Sequence, residues 1–238
     1  MGPPGPTPPR QLALALEHAE SFDRDDFLSG PGNAAALALI DRWPDWPARA
    51  LAIVGAEGTG KSHLAAIWAK ASGGRIVSSR AMTAARVPQD IATGALVIED
   101  DGARDEAALF HLINLAQEER AHILITSRQP PASWPVALPD LASRLRVLPV
   151  ATLGTPGDAM LRAVLVKLFA DRQLAVDGTV IDFLMPRIDR SFAGARAAVF
   201  ELDREALRQK RPVSRALAGE VLRERGRDDG VELPDPRP

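Results

Sequence analysis

The stretch Leu51–Ser62, LAIVGAEGTGKS, decides the fold. Leu51–Val54 is a short apolar run bounded by turn signals, the mark of a buried strand. It leads directly into Gly55–Ser62, GAEGTGKS, which fits G-x-x-x-x-G-K-[ST] in its required setting, after a strand and before a helix. The glycines let backbone N–H groups curl around phosphate oxygens. Lys61 brings a point charge to the β- and γ-phosphates, and Ser62 Oγ is a magnesium ligand. The helix that follows presents its positive N-terminal end to the anion. Gly55, Glu57, Gly58, Thr59, Gly60, Lys61 and Ser62 are therefore the expected nucleotide-binding run, with ADP or ATP and Mg2+ as ligands.

Outward from this loop the chain alternates strands and helices. The pattern predicts a helix over Asn33–Arg42, one over Ser62–Ala71, and strands at Arg75–Ser78 and Ala95–Ile98. A helix over Glu106–Glu119 and strands at Ile123–Thr126 and Arg146–Val150 complete it. Such alternation implies an α/β fold with a parallel sheet flanked by helices. After Val150 the reading changes to helices alone, at Pro156–Arg172, Gly178–Ile188, Phe192–Arg208 and Ser214–Arg223, which form a small all-helical domain. The expected division is a Pro-rich leader over 1–20, an α/β nucleotide-binding domain over 21–152, a helical domain over 153–225 and a tail over 226–238.

A phosphate loop needs a second strand that ends in acid. Ala95–Ile98 is followed by Glu99, Asp100 and Asp101. An acid at the C-terminal end of a buried parallel strand points at the metal, and the next acid orients the attacking water. Glu99 is assigned to the metal together with Ser62, and Asp100 to the water as a catalytic residue; Asp101 leaves open a shift of register by one.

Composition narrows the function. With 29 Lys and Arg against 31 Asp and Glu, the 238-residue chain has a formal charge of −2, unlike a strong non-specific nucleic-acid binder. It holds no Cys, which excludes disulfides, thiolate zinc sites and thiol nucleophiles. The four His lack ligand spacing. No run of 18 apolar residues is long enough for a membrane span, and the N-terminus MGPPGPTPPR lacks a signal pattern.

At these motifs the chain resembles the AAA+ family, and within it the DnaA-like branch, over about residues 10–225. Phe27-Leu28-Ser29-Gly30, with Asn33 and Ala36, resembles the adenine-side box of bacterial initiators. His63-Leu64 after Ser62 fits that branch and adds His63 to the nucleotide site. Phe110-His111-x-x-Asn114 resembles the helix after the carboxylate strand, and Ile125-Thr126-Ser127 the strand end that carries the first sensor. By that resemblance Thr126 or Ser127 touches the γ-phosphate region. Leu141-Ala142-Ser143-Arg144-Leu145 resembles the box ending in Ser-Arg-Phe, whose Arg is an arginine finger for a neighbour's nucleotide. The C-terminal helices resemble the AAA+ lid, with Arg196 as the second sensor and Arg190 as its rival. The sequence departs from the family pattern at Glu99, where Asp is usual, at Leu145 in place of Phe, and at Arg128 in place of an acid.

The leader carries Gln11-Leu12-Ala13-Leu14-Ala15-Leu16. One amide with donor and acceptor, followed by aliphatics, suits docking into an apolar cleft. The hexapeptide resembles the sliding-clamp-binding motif, with Gln11, Leu12, Leu14 and Leu16 as the contacts. The Hda-like subgroup of the DnaA family carries such a motif there. The resemblance implies a cytoplasmic, replisome-associated regulator that binds the clamp (the polymerase β subunit), meets DNA only through it, and offers Arg144 to the ATP site of the initiator DnaA. It also implies weak intrinsic hydrolysis and a nucleotide-dependent homodimer. The chain leaves no expected room beyond the lid for a DNA-reading domain. The alternatives are a helicase-loader-like or initiator-fragment replication factor, or a self-sufficient P-loop enzyme.

Overall fold

The computed structural model describes residues 22–46 and 48–228. Nine α-helices and five strands are described: α1 (Ala34–Asp41), β1 (Ala50–Gly55), α2 (Lys61–Ser72), β2 (Arg75–Ser78), α3 (Val87–Asp90), β3 (Ala95–Glu99), α4 (Glu106–Glu118), β4 (His122–Ser127), α5 (Pro139–Arg146), β5 (Val150–Leu153), α6 (Asp158–Asp171), α7 (Gly178–Leu184), α8 (Phe192–Gln209) and α9 (Arg215–Asp228). None of the described helices is long and apolar enough to cross a membrane.

The strands form one parallel sheet in the order β2-β3-β4-β1-β5. β1 comes first in the chain yet lies inside the sheet, between β4 and β5. The loop that leaves its C-terminal end therefore emerges over the middle strands, where open α/β sheets bind ligands. Both faces are apolar and both are covered, which explains the continuous hydrophobic runs of β1, β3 and β4. Leu51, Ile53, Ala95, Val97 and Leu124 pack with α1 and α2 on one face. Ala52, Val54, Leu96, Ile98, Ile123 and Ile125 pack with α4 and α5 on the other. This alternation settles which sheet face each residue at a strand end joins.

One expected strand moves. Arg146–Val150 is not β5: Arg146 closes α5, and the strand runs from Val150 to Leu153. Pro139 occupies the first turn of α5, where its missing N–H costs nothing. Leu141 and Leu145, one turn apart, both reach the core. In β5 only Ala151 and Leu153 turn inward, a two-residue period that begins after Pro149. At the other end α9 continues to Asp228, beyond the expected stop at Arg223.

The four C-terminal helices have a core of their own. Leu161, Leu165 and Phe169 stand at successive turns of α6 and meet Ala195, Ala198, Val199 and Leu202 of α8. Ser191 caps α8 by accepting a hydrogen bond from Gly194 N–H at 2.9 Å, and Asp177 caps α7 through Thr179 N–H at 2.8 Å. The cap of α8 fixes where this helical unit meets the phosphate loop.

Candidate functional site

The Gly55–Ser62 loop is held by its own groups. Gly58 and Gly60 have φ of 73° and 96°, left-handed values that a side chain would oppose. Thr59, 1% exposed, donates its hydroxyl to Ala56 O at 2.9 Å and so pins the loop. Lys61 Nζ donates to Gly55 O at 3.0 Å and Ala56 O at 2.7 Å, which places the ammonium in the hollow. Burial lowers the Lys61 pKa, and the nearby Arg128 lowers it further; Glu57 and Glu99 act in the opposite direction. A half-buried ammonium that rests on carbonyls and gains from added negative charge is suited to an anion. Ser62 is exposed in the first turn of α2.

The three acids go to three places. Glu99 ends β3 opposite Thr126 of β4, on the sheet face shared with α2, and its charge acts on Lys61. Asp100 falls on the other face. Arg104 pairs with it, Nη2 donating to Oδ2 at 2.6 Å while Nε stands 2.6 Å from Oδ1 outside hydrogen-bond geometry, and the carboxylate is only 6% exposed. The guanidinium carbon of Arg104 lies 3.9 Å from the centroid of the Trp134 ring. Asp101 closes a turn at the end of β2: Ala103 N–H and the Ser78 and Ser79 hydroxyls bond it and, with Arg80, hold its pKa down to about 2. The geometry therefore brings Glu99 to the loop, while Asp100 and Asp101 are both engaged elsewhere.

Thr126 and Ser127 separate in the same way. Thr126, 4% exposed, lies between Glu99 and Ile53 on the α2 face. Ser127 is on the opposite face and donates its hydroxyl to Gln129 O at 2.7 Å. Arg128, next in the chain, pairs with Glu57 of the loop.

Beside the loop is a cleft of about 330 Å³, bounded by the 22–28 segment, α2, α6 and the start of α8. His63 stands edge-on to Phe22 and Phe27, with centroids 5.3 Å and 5.1 Å away. Its ring belongs to the aromatic wall of the cleft. Asn33 is 5% exposed and ties the neighbouring turn, donating Nδ2–H to Leu28 O and accepting from Gly30 N–H. On the far wall α8 presents Phe192 and Arg196. Phe192 N–H donates to Gly58 O at 2.9 Å, which joins the helical unit to the loop. Arg196 lines the cleft, whereas Arg190 is paired with Asp158 outside it.

Lys167 and Phe192 are among the cleft residues that no sequence motif marks. Lys167 of α6 bonds Asp26 at 2.7 Å and Asp171 at 3.0 Å, linking the helical unit to the N-terminal segment. Its i,i+4 pairing with Asp171 is visible in the sequence, but its contact with Asp26 is not. Phe192 acts through its backbone, which leaves no mark in composition.

Arg144 is on α5, on the sheet face away from α2. It donates to Gln117 Oε1 at 3.1 Å, and its guanidinium carbon is 5.4 Å from the Phe110 ring centroid. It is not among the residues that line the cleft. Gln11, Leu12, Leu14 and Leu16 lie outside the described residues. No group of three or more His, Asp or Glu side chains that could hold a metal is found among the described residues. The two expected metal ligands lie at the start of α2, Ser62, and at the end of β3, Glu99.

No family model matches the chain. In sequence it is 26% identical over 257 residues to the chromosomal replication initiator protein DnaA of Thermomicrobium roseum. The match takes in 90% of the chain and 53% of the relative, so the chain spans about half the length of the initiator it resembles. Domain III of the Thermotoga maritima DnaA superposes with a TM-score of 0.68 at 20% identity, over 85% of this chain and 96% of that one. The AMPPCP-bound DnaA of Aquifex aeolicus gives 0.61 at 17% identity, over 87% and 68%. The Thermotoga maritima RuvB Holliday junction branch migration motor gives 0.60 at 13% identity, over 73% and 61%. The chain has the AAA+ fold, and in sequence it is similar to a DnaA initiator.

Proposed function

We propose that the chain is an Hda-like regulator of replication initiation. It holds ADP or ATP on the Gly55–Ser62 loop, binds the sliding clamp through Gln11–Leu16, and supplies Arg144 to the ATP site of the initiator DnaA. The observation that carries this reading is the placement of Arg144. It is on the helix that packs on the sheet face opposite α2, outside the cleft, and among the described residues its partners are the neutral Gln117 and the Phe110 ring. A guanidinium that does not line its own cleft and whose partners among the described residues are uncharged is suited to a negative charge on another molecule.

Nucleotide binding draws support from the Lys61 hollow, the aromatic wall at Phe27 and His63, and Arg196 across the cleft. Thr126 and Glu99 share the face of the loop and are the expected neighbours of the terminal phosphate and the metal. Bound Mg2+ would neutralise phosphate charge there. The clamp peptide raises the local concentration of the module beside an initiator on DNA.

The test is hydrolysis of ATP by the initiator in the presence of clamp on DNA. Wild-type protein accelerates it, and Arg144→Ala abolishes the acceleration while it still binds nucleotide and clamp. A finger supplied in trans is worth about 10³–10⁵ in rate, so the difference is large. Undiminished stimulation by Arg144→Ala would sink the finger assignment. Equal clamp recovery by wild type and a Gln11→Ala, Leu14→Ala variant would sink the tether. Similarity to the initiator itself favours a second reading, a replication factor that assembles directly on DNA. Tight, salt-sensitive DNA binding without clamp would select it.

A further inference from the structure

We infer that Arg128 is a phosphate ligand in its own right: it exchanges Glu57 for the terminal phosphate of a nucleoside triphosphate, and so makes the loop discriminate triphosphate from diphosphate. The inference rests on the nucleotide-binding reading of Gly55–Ser62.

The register of the sheet places the residue. Ser127, the last residue of β4, pairs with Val54 of β1. Gly55 ends β1, and Arg128 leaves β4 alongside the start of the loop. Its guanidinium meets the Glu57 carboxylate within that loop, and its charge acts on Lys61. Arg128 therefore stands at the Lys61 end of the site. That end receives the β- and γ-phosphates of a bound nucleotide. The base end, at Phe27 and His63, is lined by Lys167 and Arg196 instead.

The present partner is easily exchanged. The side chains of Arg128 and Glu57 are 71% and 76% exposed, and exposed pairs are weakly held. A phosphate offers the same planar guanidinium a denser charge and bidentate acceptors. Glu57 in turn prevents two cations, Arg128 and Lys61, from facing each other without an anion.

Affinity for ADP and for AMPPCP, each with Mg2+, tests the assignment in wild type, Arg128→Ala, Arg128→Lys, Glu57→Gln and Lys61→Ala. Arg128→Ala is expected to lose about tenfold for AMPPCP, the scale of one exposed charge-assisted contact, with ADP changed by less than about twofold. Arg128→Lys retains part of the loss, because charge survives without the fork. Glu57→Gln tightens AMPPCP. Equal loss for both nucleotides in Arg128→Ala would overturn the inference. So would recovery of wild-type AMPPCP affinity in the Glu57→Gln, Arg128→Ala double variant, which would make Arg128 only the neutraliser of Glu57. If wild type binds and Lys61→Ala does not, an unchanged Arg128→Ala rejects Arg128 alone. If wild type binds neither nucleotide, the reading of the loop fails with it.

Discussion

Arg104 pairs with Asp100, four residues before it in the loop after β3, and lays its guanidinium over the Trp134 ring. The second acid after a phosphate-loop strand usually serves water, and here it serves an arginine. A carboxylate that is 6% exposed and holds a guanidinium at 2.6 Å is turned to that partner rather than to a water over the phosphate loop.

Two variants follow from this pair. Asp100→Asn should change the intrinsic ATP turnover of isolated protein by less than about twofold, since its carboxylate is not free to act. Arg104→Gln should raise turnover several-fold and lose the gain when Asp100→Asn is added. Single-turnover hydrolysis measures both. Removal of one partner from a buried pair costs about 3–5 kcal/mol, so Arg104→Gln should also unfold at lower urea. A large drop in turnover for Asp100→Asn alone would show that Arg104 yields the acid during hydrolysis.

Lys61 predicts a pH dependence. Its pKa lies below the ordinary lysine value of 10.5 because burial, and then Arg128, disfavour the charged form. Bound phosphate favours that form. As pH rises through the lowered value, the free protein gives up the proton and binding must restore it. Nucleotide affinity should therefore fall on alkalinisation earlier than for an exposed lysine, with proton uptake on binding. Calorimetry in buffers of different ionisation enthalpy reads the uptake, which should vanish in Lys61→Arg. In the free fold the sign is opposite: a lowered lysine pKa makes the unfolded chain bind more protons, so this group adds stability as pH rises toward 10.5.

Much of the site was legible because it is local. Strand, glycines and Lys61 occur in one run, whereas the sheet faces that part Glu99 from Asp100 and Thr126 from Ser127 are fixed only once the helices pack. The pairing of Asp100 with Arg104 was also within reach of i,i+4 spacing, but a run of three acids after a strand draws the eye to metal. α5 was hidden because only Leu141 and Leu145 carry its apolar face. The shift of β5 to Val150–Leu153 follows from the same helix, which takes Arg146. Contacts between distant segments left no trace in the sequence: Lys167 with Asp26 and Phe192 N–H with Gly58 O exist only once the helical unit meets the sheet.

His122 predicts acid sensitivity. Trp43 and Trp46 stand edge-on to its ring at 6.1 Å and 5.9 Å, and Trp46 stacks on Trp68 at 5.0 Å. Burial lowers the His122 pKa, Arg49 adds to that, and a hydrogen bond with Pro44 opposes it. A base with a depressed pKa is neutral in the fold and charged in the unfolded chain just below the ordinary 6.5. Stability should therefore fall as pH drops below 6.5 toward the folded value, and level off beneath it. Urea unfolding followed by tryptophan fluorescence at pH 7.5 and pH 5 should show the loss. His122→Gln should remove this part of the slope, and an unchanged slope in that variant would place the acid response elsewhere.

Gly58 tests the link between loop and helical unit. A Cβ there would stand 2.9 Å from Ser191 Cβ and from Ala193 Cβ, at a φ of 73°. The left-handed conformation alone costs a non-glycine residue about 1–2 kcal/mol, and the clash falls on the cap of α8. The first turn of α8 must retreat, carrying with it the Phe192 N–H bond to Gly58 O and the helix that bears Arg196. Gly58→Ala should therefore weaken nucleotide binding at both ends of the cleft, by about tenfold or more if the strain is relieved only in the free protein. Gly102→Ala is the control, since Gly102 has a φ of 92° and nothing within 4 Å of an added Cβ. It should show a similar loss of thermal stability with unchanged affinity, which separates backbone strain from the contact between loop and helix.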